Sequence, residues 1–178
     1  MTLTPLRPHP ACPAPGGLAV RAGAAFADGG GLTLTYRIAG AGALRIPPPA
    51  VPAATDELWR HTCCEAFIAA VDRPEYLEFN LSPSGCWAAY RFTGYRERDT
   101  GWLPPATPTI TVHRDGDALE LTAILPAALL PNGATLDLSL TVVAEDPAGA
   151  LSYWAPAHAG ERPDFHLRAA FTLRLERP

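Results

Sequence analysis

The chain has 178 residues, 48% of them hydrophobic, enough apolar side chain for the core of one domain and too little length for two full ones. Its 14 basic residues are all arginine and lie scattered among 18 acidic ones, for a formal charge of −4, so no electrostatic footprint for nucleic acid is present. No run approaches the roughly 20 apolar residues that a membrane-spanning helix needs.

Residues 1–16 are punctuated by Pro5, Pro8, Pro10, Pro13 and Pro15, which suits neither a signal peptide nor an anchor. They are expected to pack as a segment on one domain spanning residues 17–178. Strands are predicted at 18–26 and 32–38, joined by Asp28-Gly29-Gly30-Gly31. Pro47-Pro48-Pro49 and Pro104-Pro105 mark surface loops. Strands follow at 62–71, 76–82 and 87–95, the last two linked by Ser82-Pro83-Ser84-Gly85, and then at 109–114 and 118–125 around Asp115-Gly116. Residues 126–130 form a helical turn closed by Pro131-Asn132-Gly133, and strands at 136–145 and 171–175 complete the series. Short strands with turn chemistry between them, and no crossover helices, predict an all-β fold. The expected architecture is a two-sheet antiparallel β-sandwich, immunoglobulin-like or jelly-roll-like, in a single domain.

The richest chemistry lies in residues 58–101. Alternation places Tyr76, Glu78 and Asn80 on one face of their strand and sends Leu77, Phe79 and Leu81 to the core. Glu65, beside Phe67, joins the polar face. Arg91 alternates with Tyr90 and Phe92 and is expected to meet the two carboxylates. Aromatic rings flanked by Glu, Asn and Arg suit a sugar, because rings stack on C–H faces while polar groups fix the hydroxyls. Cross-strand Glu–Arg pairs on a solvated face would give the same pattern without any ligand. Glu65 and Glu78 on neighbouring strands also raise glycoside hydrolysis, but with no further acid–base partner in view no catalytic residue is assigned.

Residues 151–166 read as a Pro- and Gly-rich loop before the last strand, carrying Trp154, His158, Asp164 and His166 as binding contributors. These histidines with His61 have no specific metal-ligand spacing, so no metal is expected. Ser84 lacks a nucleophile-elbow context and reads as hairpin chemistry, and His61 beside Cys63 and Cys64 is a weak thiolate pair. Cys12, Cys63, Cys64 and Cys86 fit no disulfide framework and are expected as free thiols in a cytoplasmic protein.

Two stretches resemble a known family: LWRHTCCEAFI followed by YLEFNLSPSGCWAAYRF, and YWAPAHAGERPDFH followed by FTLRL. They are similar to the bacterial DOMON-like proteins related to family 9 carbohydrate-binding modules, over most of the chain after about Gly17. Within that family they resemble the subgroup associated with the reductase that forms UDP-N-acetylmuramate for the cell wall. The resemblance implies a sandwich with a ligand cleft on one face, where two tryptophans hold a sugar and nearby Glu, Arg and Asn bind its hydroxyls. By position it assigns Trp59 and Trp154 to the aromatic clamp and Glu65 to the motif's strand acid. The motif's Asp three residues earlier is Thr62 here, a departure within the sugar-recognition pattern. Other relatives bind haem through Met with His or Met with Lys. The only methionine here is Met1 and lysine is absent, so haem would need two histidines such as His158 and His166.

The reading that follows is a non-catalytic module binding a carbohydrate or sugar derivative, with Trp59, Glu65, Glu78, Asn80, Arg91 and Trp154 at the ligand. His158, Asp164 and His166 are further loop contributors, and no cofactor or metal is required. The alternatives are a haem-binding redox module, an enzyme acting on glycans or cell-wall precursors, and a sheet face that contacts a protein partner.

Overall fold

The computed structural model describes residues 1–178. Turn residues and alternating apolar positions divide the chain into thirteen strands. They are β1 (Thr4–Pro5), β2 (Arg7–Pro8), β3 (Ala19–Phe26), β4 (Leu32–Ala39), β5 (Cys63–Ala70), β6 (Tyr76–Leu81) and β7 (Trp87–Gly94). The rest are β8 (Glu97–Arg98), β9 (Thr109–Asp115), β10 (Ala118–Leu125), β11 (Thr135–Glu145), β12 (Leu151–Ala155) and β13 (Leu173–Glu176). Each of the nine predicted strands is present with ends within two residues, and the predicted turn at 126–130 is the single 3-10 turn Ala127–Leu129. The smaller sheet runs β1-β3-β4-β10-β9, and the larger runs β2-β12-β11-β5-β6-β7-β8 with β13 also on β11. All strand pairs are antiparallel, so the protein is the predicted two-sheet sandwich.

The N-terminal segment belongs to both layers. β1 pairs with β3 at the edge of one sheet and β2 pairs with β12 at the edge of the other, while Leu6 between them is buried in the main core. Alternation delivers that core: Leu34, Tyr36 and Ile38 of β4 and Leu119 and Leu121 of β10 face Ile68, Phe79, Leu81 and Leu138 of the larger sheet. Each such large side chain contributes about 1.5–3 kcal/mol on burial. The Tyr36 hydroxyl, buried between the layers, donates to the Glu65 carbonyl at 2.7 Å and so satisfies its polar end.

β5 and β6 are buried on both faces. Antiparallel strands commonly leave one face to water. Here a second, smaller core covers the outer face of the larger sheet, where Phe67, Tyr76 and Phe92 pack beneath Phe165 and Phe171 of the segment leading to β13. Cys63 and Cys64 consequently point to opposite sides, Cys64 into the main core, and all four cysteines are free thiols.

Gly40 follows β4 with φ of 78°, and a Cβ there would stand 2.5 Å from the Gly17 carbonyl oxygen. Gly40→Ala is expected to cost about 1–3 kcal/mol, read as a lowered urea midpoint with an unchanged slope.

Candidate functional site

The register of the larger sheet sets the site. Pairing of Glu65 with Asn80, Phe67 with Glu78, and Glu78 with Tyr90 brings these side chains onto the outer face of β5, β6 and β7. A cavity of about 600 Å³ opens over this face, with Glu65, Phe67, Glu78 and Val143 at its base. Tyr90 and Phe92 of β7 stand on one side, with Trp59 edge-on to Tyr90 at 5.9 Å between ring centroids. Leu151 and Tyr153 of β12 stand on the other, and Phe165 packs against both Tyr153 (6.0 Å) and Phe67 (6.2 Å). Arg60, Arg96, Arg98 and Asp164 complete the lining.

Local backbone geometry aims these groups. A 3-10 turn, Leu58–Arg60, follows Glu57 in the left-handed conformation and presents Trp59 and Arg60. The turn from β7 to β8 places Arg96 at φ of 57°, where its backbone N–H donates to the Tyr76 hydroxyl at 3.1 Å. A non-glycine residue at positive φ is sparsely populated and is held by its surroundings. The Tyr76 hydroxyl in turn donates to His166 Nδ1 at 2.7 Å, an assignment that leaves the imidazole proton on Nε2, 3.7 Å from Glu78. Asp164 ties the loop together: it accepts from Tyr95 (2.5 Å), from Arg96 (2.9 Å) and from the His166 backbone N–H (3.0 Å).

Two carboxyl groups with no arginine in salt-bridge contact lie at the base. Glu65 is 3% exposed, and its carboxyl group accepts from the Thr141 hydroxyl at 3.3 Å. Burial, and then the nearby Glu78, push its pKa well above the ordinary carboxylate value. Glu78 accepts from Asn80 Nδ2 at 2.7 Å, and burial raises it to about 7 against the favourable effects of that bond and of Arg96 and Arg98. Burial lowers His166 to about 4, so the imidazole is neutral. Asp164 goes the other way: burial opposes its ionisation, but the Tyr95, His166 and Arg96 hydrogen bonds outweigh it and hold the pKa below the ordinary value.

Of the residues singled out in the sequence, Trp59, Glu65, Glu78, Asp164 and His166 line this one cavity. Asn80 lies fully buried alongside and orients Glu78. Three assignments need correction. Trp154 is 4% exposed and faces the main core, because 151–155 is strand β12 and alternation turns Tyr153, not Trp154, toward the cavity. Arg91 pairs in register with Leu77, on the opposite face from Glu78, and lines a separate cavity of about 380 Å³ with Trp102 and Leu129. His158 is outside the cavity lining: its ring packs on His9 at 4.7 Å and donates to the Arg7 carbonyl at 2.8 Å. Nor do the histidines converge, since His61 pairs with Glu145 at 2.8 Å. Thr62, where the motif has Asp, bridges the Arg45 carbonyl (2.8 Å) and the Glu145 backbone N–H (3.0 Å).

The cavity is also lined by Tyr90, Tyr153, Phe165, Arg60, Arg96 and Arg98, to which the sequence pattern alone does not point. Tyr90 and Tyr153 follow from alternation once both strands are placed. Arg96 and Arg98 sit in and beyond an irregular turn, where no period points to them.

No family model and no curated protein sequence matches the chain. Solved structures do. A protein of Bacteroides uniformis ATCC 8492, provisionally described as carbohydrate-binding, superposes with a TM-score of 0.71 at 17% identity, covering 96% of this chain and 84% of that one. A family 9 carbohydrate-binding module of Caldicellulosiruptor kristjanssonii in complex with glucose gives 0.59 at 12% identity, over 96% of this chain and 82% of that one. A family 9 module from the same organism with cellotriose gives 0.51 at 13%, over 84% and 70%. At these identities the likeness is one of fold: the sandwich is similar to those of these proteins.

Proposed function

We propose that this protein is a sugar-binding module whose ligand occupies the cavity on the outer face of the larger sheet. The observation that carries the reading is the combination in one cavity of aromatic rings on opposing sides with two buried carboxyl groups at the base. Rings offer faces and edges to sugar C–H groups, and a protonated carboxyl both donates to and accepts from hydroxyls. The volume, about 600 Å³, falls within the range of roughly 300–1,000 Å³ that is usual for small-molecule sites. The shared fold of modules in complex with glucose and with cellotriose supports the reading. So do the sequence stretches similar to DOMON-like proteins, and kinship with that family, including its reductase-associated subgroup, is part of the proposal.

The test is a calorimetric titration with monosaccharides, oligosaccharides and nucleotide-sugars. Saturable binding to at least one of them is expected, with a loss of tenfold or more in both Trp59→Ala and Tyr153→Ala. A flat response across the panel, or affinity unchanged in both variants, overturns the reading.

A glycan-acting enzyme is the second reading, favoured by the meeting of Glu65 and Glu78 in one cavity. It predicts release of the aglycone from aryl glycosides and loss of that turnover in Glu78→Gln.

A further inference from the structure

Resting on the sugar-binding reading, we infer that the ligand is an anionic sugar, one bearing a carboxylate or a phosphate, recognised by Arg60, Arg96 and Arg98. Three of the chain's 14 arginines line this one cavity, in a protein whose formal charge is −4. The same lining carries Glu65, Glu78 and Asp164, and Arg73 and Arg91 line the separate cavity, so the argument rests on how each arginine is engaged.

Each guanidinium is held from one side with hydrogen-bonding capacity to spare. Arg60 donates through one terminal nitrogen to Glu57 at 2.7 Å, and Arg96 through one to Asp164 at 2.9 Å. Arg98 makes no ion pair. Its guanidinium lies over the Tyr90 ring, 4.0 Å from the centroid, and a contact with a ring leaves its N–H groups for an acceptor. Asp56, the carboxylate near it, is engaged by the Tyr90 hydroxyl.

Arg60 is paired with Glu57 and Arg96 with Asp164, which leaves Arg98 as the arginine of this cavity without an ion pair. Asp164 is committed to Arg96 and Tyr95, while burial biases Glu65 and Glu78 toward their uncharged forms. A carboxylate or phosphate on the ligand supplies the missing charge, with hydrogen bonds stronger than those a neutral hydroxyl makes to the same donors. The aromatic walls then take the sugar ring and the arginines its acidic substituent.

The test titrates the whole protein with glucose, glucuronate and glucose 6-phosphate, at low and high salt, beside inorganic phosphate and acetate. The expected result is that one or both anionic sugars bind at least tenfold tighter than glucose. The two anionic arms show whether carboxylate or phosphate is preferred. High salt reduces the preference, and Arg98→Gln cuts it below threefold, whereas Arg91→Gln, in the separate cavity, retains it. Equal affinity for glucose and both anionic sugars overturns this inference while leaving the sugar-binding reading intact. Binding of phosphate or acetate as tight as that of the anionic sugars overturns it in favour of a simple anion site. No binding by any of the three sugars overturns it together with the reading on which it rests.

Discussion

Trp154→Ala is expected to lower the unfolding free energy by about 3–5 kcal/mol, the usual cost of truncating a core tryptophan. The indole is 4% exposed, packs in the main core and donates its N–H to the Ser152 hydroxyl at 3.0 Å. Its backbone joins β12 to β11 opposite Val142 and to β2 opposite Pro8. Removing the ring leaves a void and loosens the edge to which the N-terminal segment is fastened. Trp59→Ala removes a partly exposed ring whose packing is an edge contact on Tyr90, and should cost about 0.5–1.5 kcal/mol. Urea denaturation of the two variants, followed by circular dichroism, separates the roles. A well-folded Trp154→Ala protein that had lost its ligand would return Trp154 to the cavity wall and contradict the orientation of β12.

The second large effect is on pH. Glu78 titrates at about 7 in the folded protein and near 4.5 in the ordinary state, so the native state holds a proton that the unfolded chain has released. Its contribution is fully present below 4.5 and is lost as pH rises through 7, for a total on the order of 3 kcal/mol. Glu65, raised by burial and by Glu78, acts in the same sense. His166 acts in the opposite sense: lowered from 6.5 to about 4, it withdraws stability as pH falls through that interval. The two effects oppose one another between 4.5 and 6.5, leaving a net fall in stability of about 1 kcal/mol from pH 6.5 to 8. Glu78→Gln should flatten that fall and be more stable than the parent at pH 8. A parent profile that stays level across 6.5 to 8, or one that Glu78→Gln reproduces, would contradict the placement of Glu78 as a buried carboxyl.

The fold was largely legible because period-two alternation and turn residues are local signals. Residues 32–38 and 118–125 show both, and they form adjacent strands with matching inward faces. The polar faces of β5 and β6 were legible for the same reason, and they carry Glu65 and Glu78. β12 was not. LSYWA is short and flanked by Pro147 and Pro156, so it reads as loop, and missing the strand reverses which of Tyr153 and Trp154 faces outward. Arg91 shows the limit of alternation: the period separates it from Tyr90, but only the pairing with Leu77 reveals which side meets Glu78. Arg96 and Arg98 owe their positions to a register shift after Phe92 and to a left-handed turn residue, and neither leaves a periodic trace.

The most direct test of the account is to record backbone amide chemical shifts of the isotope-labelled protein while the tightest ligand of the sugar panel is added. Saturable shifts are predicted along β5, β6, β7 and β12 and in residues 163–166, with β4 and β10 of the smaller sheet unmoved. Shifts confined to the smaller sheet, or to Arg91, Trp102 and the turn at 127–129, would place the ligand elsewhere and contradict the assignment of this cavity.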